Sequence, residues 1–130
     1  MTVVRWEGFE DDVERRLPEL APRFAQARPL WEGEPIPPHI VLGDIILPAL
    51  VEALANRDLS QIERLVDLLT FLAESTDDRL TELVMVSFVE FVLGDKRLEE
   101  RLQRHLSSPL HALFKQRKSW KPGNPRGSRS

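Results

Sequence analysis

Leu59-Ser60-Gln61-Ile62-Glu63-Arg64-Leu65-Val66-Asp67-Leu68-Leu69-Thr70-Phe71-Leu72-Ala73-Glu74 is the stretch whose reading decides the fold. Ile62, Leu65, Val66, Leu69, Leu72 and Ala73 recur at three- and four-residue intervals, the period of a helix with one face in a core. Glu63, Asp67, Thr70 and Glu74 fall on the opposite face. Ser60 followed three residues later by Glu63 has the form of a capping box, in which each side chain satisfies an open backbone amide. The spacing predicts a helix over 59–74.

Towards the C-terminus, Ser75 and Thr76 read as a turn, and Asp77 and Asp78 put negative charge at the positive dipole end of the next helix. That helix, 79–93, is apolar on nearly every side, which predicts a central position with Val84, Phe88 and Phe91 in the core. Gly94 is a good stop and Asp95 a good cap for a charged helix over 96–106 carrying Leu98, Leu102 and Leu106. Ser108-Pro109 opens the last helix, with Leu110, Leu113 and Phe114 inward. Residues 119–130 are read as a disordered basic tail rich in Pro, Gly, Ser and Arg.

Towards the N-terminus, Leu42, Ile46, Leu50 and Leu54 advance by fours and mark a helix within 38–55. Pro48 removes a backbone donor, so this helix either kinks there or begins near Asp44. Residues 29–38, with four prolines and Gly33, read as an irregular loop pinned by Trp31 and Ile36. Shorter helices are expected over 8–17 and 21–27. At 130 residues the chain fits one core. The expectation is all-α: one compact bundle of about five to six helices over 1–118, built around the pair 59–74 and 79–93.

The chain has no cysteine, which excludes disulfides and thiolate metal sites. No secretory signal precedes the polar residues Arg5 and Glu7. The longest apolar run, around 83–93, is interrupted by Ser87 and Glu90, so no membrane-spanning stretch is expected. These features predict a soluble, cytoplasmic protein. Residues 1–95 hold 8 Lys/Arg against 19 Asp/Glu, and residues 96–130 hold 10 against 2. An acidic body with a basic end bears on partners, not on fold.

His39, His105 and His111 lie on different segments without helical metal-ligand spacing. No phosphate loop, nucleophile elbow or zinc-protease motif occurs. The sequence therefore predicts binding rather than catalysis, with no metal and no cofactor. Glu90, set in Ser87-Phe88-Val89-Glu90-Phe91-Val92, either pairs with a neighbouring helix or anchors a partner's cation. Glu63, Asp67 and Glu74 form either a solvated face or, with Asp58, Asp77, Asp78 and Glu82, a patch for a basic partner. The basic end (Lys115, Arg117, Lys118, Trp120, Lys121, Arg126, Arg129) is either a solvated tail or a grip on nucleic-acid phosphates.

Pro38-His39-Ile40-Val41-Leu42-Gly43-Asp44, Asn56-Arg57-Asp58 and Val84-Met85-Val86-Ser87-Phe88-Val89-Glu90 together resemble the small all-helical immunity-type proteins encoded beside bacterial polymorphic toxins. The resemblance covers residues 38–95, with Gly43-Asp44 and Ser87/Glu90 as the matching positions. It implies a cytoplasmic protein that binds and blocks a cognate toxin, without cofactor or catalysis. The partner-binding candidates are thus Asp44, Glu63, Asp67, Glu74, Asp77, Asp78, Glu82 and Glu90. A helical regulator of nucleic acid using the basic end is the alternative.

Overall fold

The computed structural model describes residues 3–119. Seven helices account for the fold, and no strand occurs among the described residues. They are α1 (Phe9–Arg16), α2 (Ala21–Ala27), α3 (Pro38–Ala55), α4 (Leu59–Ala73), α5 (78–93), α6 (Lys96–Leu102) and α7 (Ser108–Ser119). Short 3₁₀ turns lie at Pro18–Leu20, Arg28–Trp31 and Gln103–His105. The all-α expectation holds: the helices are one or two more than the five to six expected in total, and each falls on a segment read as helical. The expected tail lies outside the described residues, apart from Ser119, which ends α7.

α4 packs against α3, α5 and α7. One apolar cluster runs from Val4 to Phe114. α4 buries Ile62, Leu65, Val66, Leu69 and Leu72 as the period requires, and Leu68 with them. Its cap differs from the expectation. Asp58, not Ser60, is the N-cap, its Oδ1 accepting from the Gln61 amide at 3.2 Å. The preceding turn explains this. The Asp58 amide donates to the Ala53 carbonyl and the Arg57 amide to that of Leu54, a Schellman ending for α3. The chain is thereby turned by Asp58, and Ser60 already lies inside α4. Arg57 holds the left-handed position of that motif (φ 55°), which costs roughly 1 kcal/mol relative to glycine.

α3 does not begin at Asp44 but runs from Pro38 through Pro48 to Ala55. Residues Val41–Ile46 widen into a π-helical segment, the Leu47 amide donating to the Leu42 carbonyl five residues back. The wider turn gives the proline ring room and shifts the ladder past its missing donor. By length and composition α3 is apolar enough to cross a membrane, contrary to the sequence expectation. Val41, Leu42, Ile45, Ile46 and Leu50 are nonetheless buried in the bundle, as in a core helix.

α5 carries a second π segment, Val84–Val89, and the two π segments pack against each other. Val84 and Phe88 are buried as expected, and the Phe88 ring meets Phe114 edge-on at 5.6 Å. Phe91 is not a core residue: it is 50% exposed, and Val86 is 51% exposed. The extra residue in the π turn delays the helical phase, so Val92 points inward where a straight helix would present Phe91. α5 therefore has an open side and is not fully central.

The N-terminal third is fastened by charge. Asp12 is the one buried charged residue among those described. It accepts from the Arg5 amide and Nε, both at 3.1 Å, and from Arg15 Nη1 at 3.0 Å. Burial alone would raise its pKa; the hydrogen bonds from Arg5 and Arg15 outweigh that and hold it below the usual carboxylate value. Arg28 bridges Glu10 and Glu14, and Glu10 Oε1 accepts the Ile36 amide at 2.9 Å. Buried Ile36 and half-buried Trp31 thus pin the proline-rich segment, part of which is a 3₁₀ turn rather than irregular.

Asp12 gives a prediction with a definite sign. A carboxyl whose folded pKa is depressed adds stability above its unfolded value of about 3.9 and loses it as pH falls through the folded value. Asp12→Asn should cost about 1.5–3 kcal/mol at neutral pH. Its loss of stability on acidification should be shallower than that of the parent. Parallel acid limbs in urea titrations at several pH values would remove Asp12 as the cause.

Candidate binding surfaces

The eight carboxylates singled out by sequence do not form one patch. Glu63, Asp67 and Glu74 are exposed on the outer side of α4, as the period predicts. Glu63 and Asp67 line a shallow cleft of about 440 Å³ with Ser60, Arg104, His105 and Ser107. The stripe is therefore flanked by cations rather than uniformly acidic. Thr70 leaves the solvated set: its hydroxyl donates to the Val66 carbonyl and lies 2.7 Å from Ser107 Oγ. Glu74 is the C-cap of α4, about 10 Å beyond Asp67 along the helix.

Asp77 is engaged as the N-cap of α5. Its Oδ1 accepts the Arg79 amide at 2.9 Å, and Arg79 Nη2 lies 2.8 Å from Oδ2. Arg79 also reaches Glu7 and covers the Trp6 ring at 5.3 Å. These contacts tie the N-terminal segment to α5 and leave Asp77 little freedom for a partner. Asp78 and Glu82 are exposed on the first turns of α5. Glu90 is not a buried anchor: its side chain is 42% exposed and pairs with Arg117 Nε at 3.1 Å. Lys118 pairs with Glu99. Arg117 is thus drawn back onto the acidic body and Lys118 onto α6, while Trp120, Lys121, Arg126 and Arg129 lie outside the described residues.

Asp44 is exposed on the π segment of α3. Its neighbour Gly43 lines an open groove of about 520 Å³ with Leu47, Pro48, Val51 and Phe91. Val51 is 42% exposed and Phe91 50%. Glu52, paired with Arg23, stands at the same groove, and Glu90 is the sequence neighbour of Phe91. The groove is a product of both π segments, one shifting the phase of each wall. Sequence reading placed Phe91 in the core and gave Val51 no role; the signal available was Pro48, which demanded some irregularity in α3.

No group of three His, Asp or Glu suited to a metal occurs among the described residues. A family model described as a domain of unknown function, DUF7674, matches residues 11–121. The chain belongs to the DUF7674 family. The DUF7674 match takes in α2 to α7 and most of α1, and with them the α4 stripe and the groove at Phe91. No curated protein and no solved structure shows a significant match to the chain.

Proposed function

We propose that this DUF7674 protein acts by binding, as an immunity-like cytoplasmic inhibitor that holds a cognate toxin domain of basic surface, without cofactor or catalysis. The observation that carries the reading is the groove with Val51 and Phe91 held open to solvent. Protein interfaces centre on apolar and aromatic anchors inside a polar rim. Exposed large apolar side chains clustered in a concavity have that composition, whereas scattered ones need no explanation. The acidic balance of residues 1–95 suits a basic partner, since complementary charge raises the association rate and selects among partners.

The test is co-expression with a toxin domain encoded beside the gene, followed by growth and pull-down measurements. The protein should restore growth and copurify with the toxin in a fixed ratio. A toxin that remains lethal and elutes alone would sink the reading. Charge reversal at Asp67 and Glu74, both to lysine, probes the steering role of the α4 stripe. Both are exposed, so the melting temperature should barely move. Association with the toxin should slow by roughly tenfold, with the difference fading at high salt. Unchanged association would confine recognition to the groove. Glu63 is equally usable, because Asp58 rather than Ser60 caps the helix.

A further inference from the structure

Seven arginines between Arg5 and Arg117 sit within 3.1 Å of a carboxylate oxygen. Arg57, Arg101 and Arg104 have no carboxylate partner among the described residues, and all three line one cleft of about 630 Å³. The floor of this cleft is apolar, formed by Leu54, Leu59 and Ile62, with Leu59 65% exposed. His105 completes the rim, and no carboxylate lines it among the described residues. On a chain with more acids than bases, three unneutralised guanidinium groups converging without an acid are not an average sample of the surface.

Helix dipoles supply the obvious alternative, because Arg101 lies in the last turn of α6, Arg104 in the 3₁₀ turn after it and Arg57 just past α3. Magnitudes decide against it. The C-terminal ends of α3 and α6 bring about half a negative charge each, and the start of α4 returns about half a positive one. Three guanidinium groups exceed that sum several-fold, even though Arg104 and His105 also line the neighbouring cleft that holds Glu63 and Asp67. Arg57 adds a second, independent sign. It occupies a left-handed position, φ 55°, that glycine fills at lower cost. The Schellman turn requires that φ, so it is only the presence of arginine rather than glycine there that bears on the cleft.

We propose that this cleft binds an organic phosphate: the phosphate lies in the fork of Arg57, Arg101 and Arg104, and the apolar body rests on Leu54, Leu59 and Ile62. Guanidinium groups match phosphate with paired, planar donors, and the volume suits a ligand of nucleotide size. The site uses different side chains from the toxin-binding groove, the two sharing only Ala55, so either reading stands if the other fails.

Titration calorimetry on the full chain with AMP, inorganic phosphate and a short oligo(dT) tests it. AMP should bind once per chain and at least about tenfold more tightly than inorganic phosphate. Arg101→Gln with Arg104→Gln should weaken AMP about tenfold or more without lowering the melting temperature. Arg57→Gly should weaken AMP yet raise the melting temperature, a pairing that a merely structural arginine would not give. Binding of oligo(dT) in place of AMP, lost in the same variants, would keep the phosphate site and assign its source to a nucleic-acid strand. Absence of binding by all three probes, or AMP affinity that survives the double substitution, would overturn the proposal.

Discussion

Phe88→Ala is expected to destabilise the protein by about 3–5 kcal/mol, the range for emptying a large aromatic site in a helical core. Phe88 is fully buried on the π segment of α5, edge-on to Phe114 of α7 and in the region where α4 meets both. Three helices bound the void, so little collapse can refill it. Against a total stability of about 5–15 kcal/mol for a domain, such a loss is a third or more of the whole. Urea unfolding followed by circular dichroism measures it. Phe91→Ala is the matched comparison: same residue type, same helix, three positions on, yet half exposed. It should cost less than about 1 kcal/mol. Equal losses at the two positions would mean that α5 runs as a straight α-helix and that its π turn is absent.

The pair also explains what could be read in advance. α4 was legible because its apolar residues repeat at a single period from Ile62 to Leu72, and burial follows that period with only Leu68 added. α5 was legible as a helix but not in its phase. Val86, Phe91 and Val92 are all apolar, so composition could not say which faces out. The answer comes from a π turn that packs against another on α3, a long-range fact. Pro48 signalled trouble in α3 but not its form, because a kink, a late start and a π turn each relieve the missing donor. The cap shows the same limit. Asp58 with Gln61 and Ser60 with Glu63 both fit a helix start, and the Schellman turn through Arg57 decided between them.

Charged sites were half legible for a related reason. Exposure of Glu63, Asp67 and Glu74 follows from helical period alone. The surroundings of Glu63 and Asp67 do not, since Arg104 and His105 line the same cleft from a segment some forty residues later. Asp12 drew no reading from the sequence, and it is buried between Arg5 and Arg15. Glu90 looked trapped among apolar neighbours, but the phase shift that exposes Phe91 also carries Glu90 outward to Arg117. Sequence therefore marked which residues carry charge, while partner choice was set by helix–helix geometry.

The second large effect concerns the groove. If Phe91 anchors the toxin domain, Phe91→Ala removes an aromatic hot spot, worth about 2–4 kcal/mol of binding. That corresponds to roughly a 30- to 1000-fold rise in Kd. The loss should appear mainly as faster dissociation, because apolar anchors act after encounter while charges act before it. Val51→Ala should lose less, since it removes a smaller side chain from the same wall. Leu30 is the control. It is 81% exposed but lies on the Arg28–Trp31 turn and does not line the groove, so Leu30→Ala should leave both Kd and dissociation unchanged. Surface plasmon resonance with the immobilised toxin domain separates the rates. A Phe91→Ala variant that folds, protects cells fully and dissociates no faster than the parent would remove the groove from the interface. Recognition would then rest on the α4 stripe, where reversal of Asp67 and Glu74 should carry the whole loss.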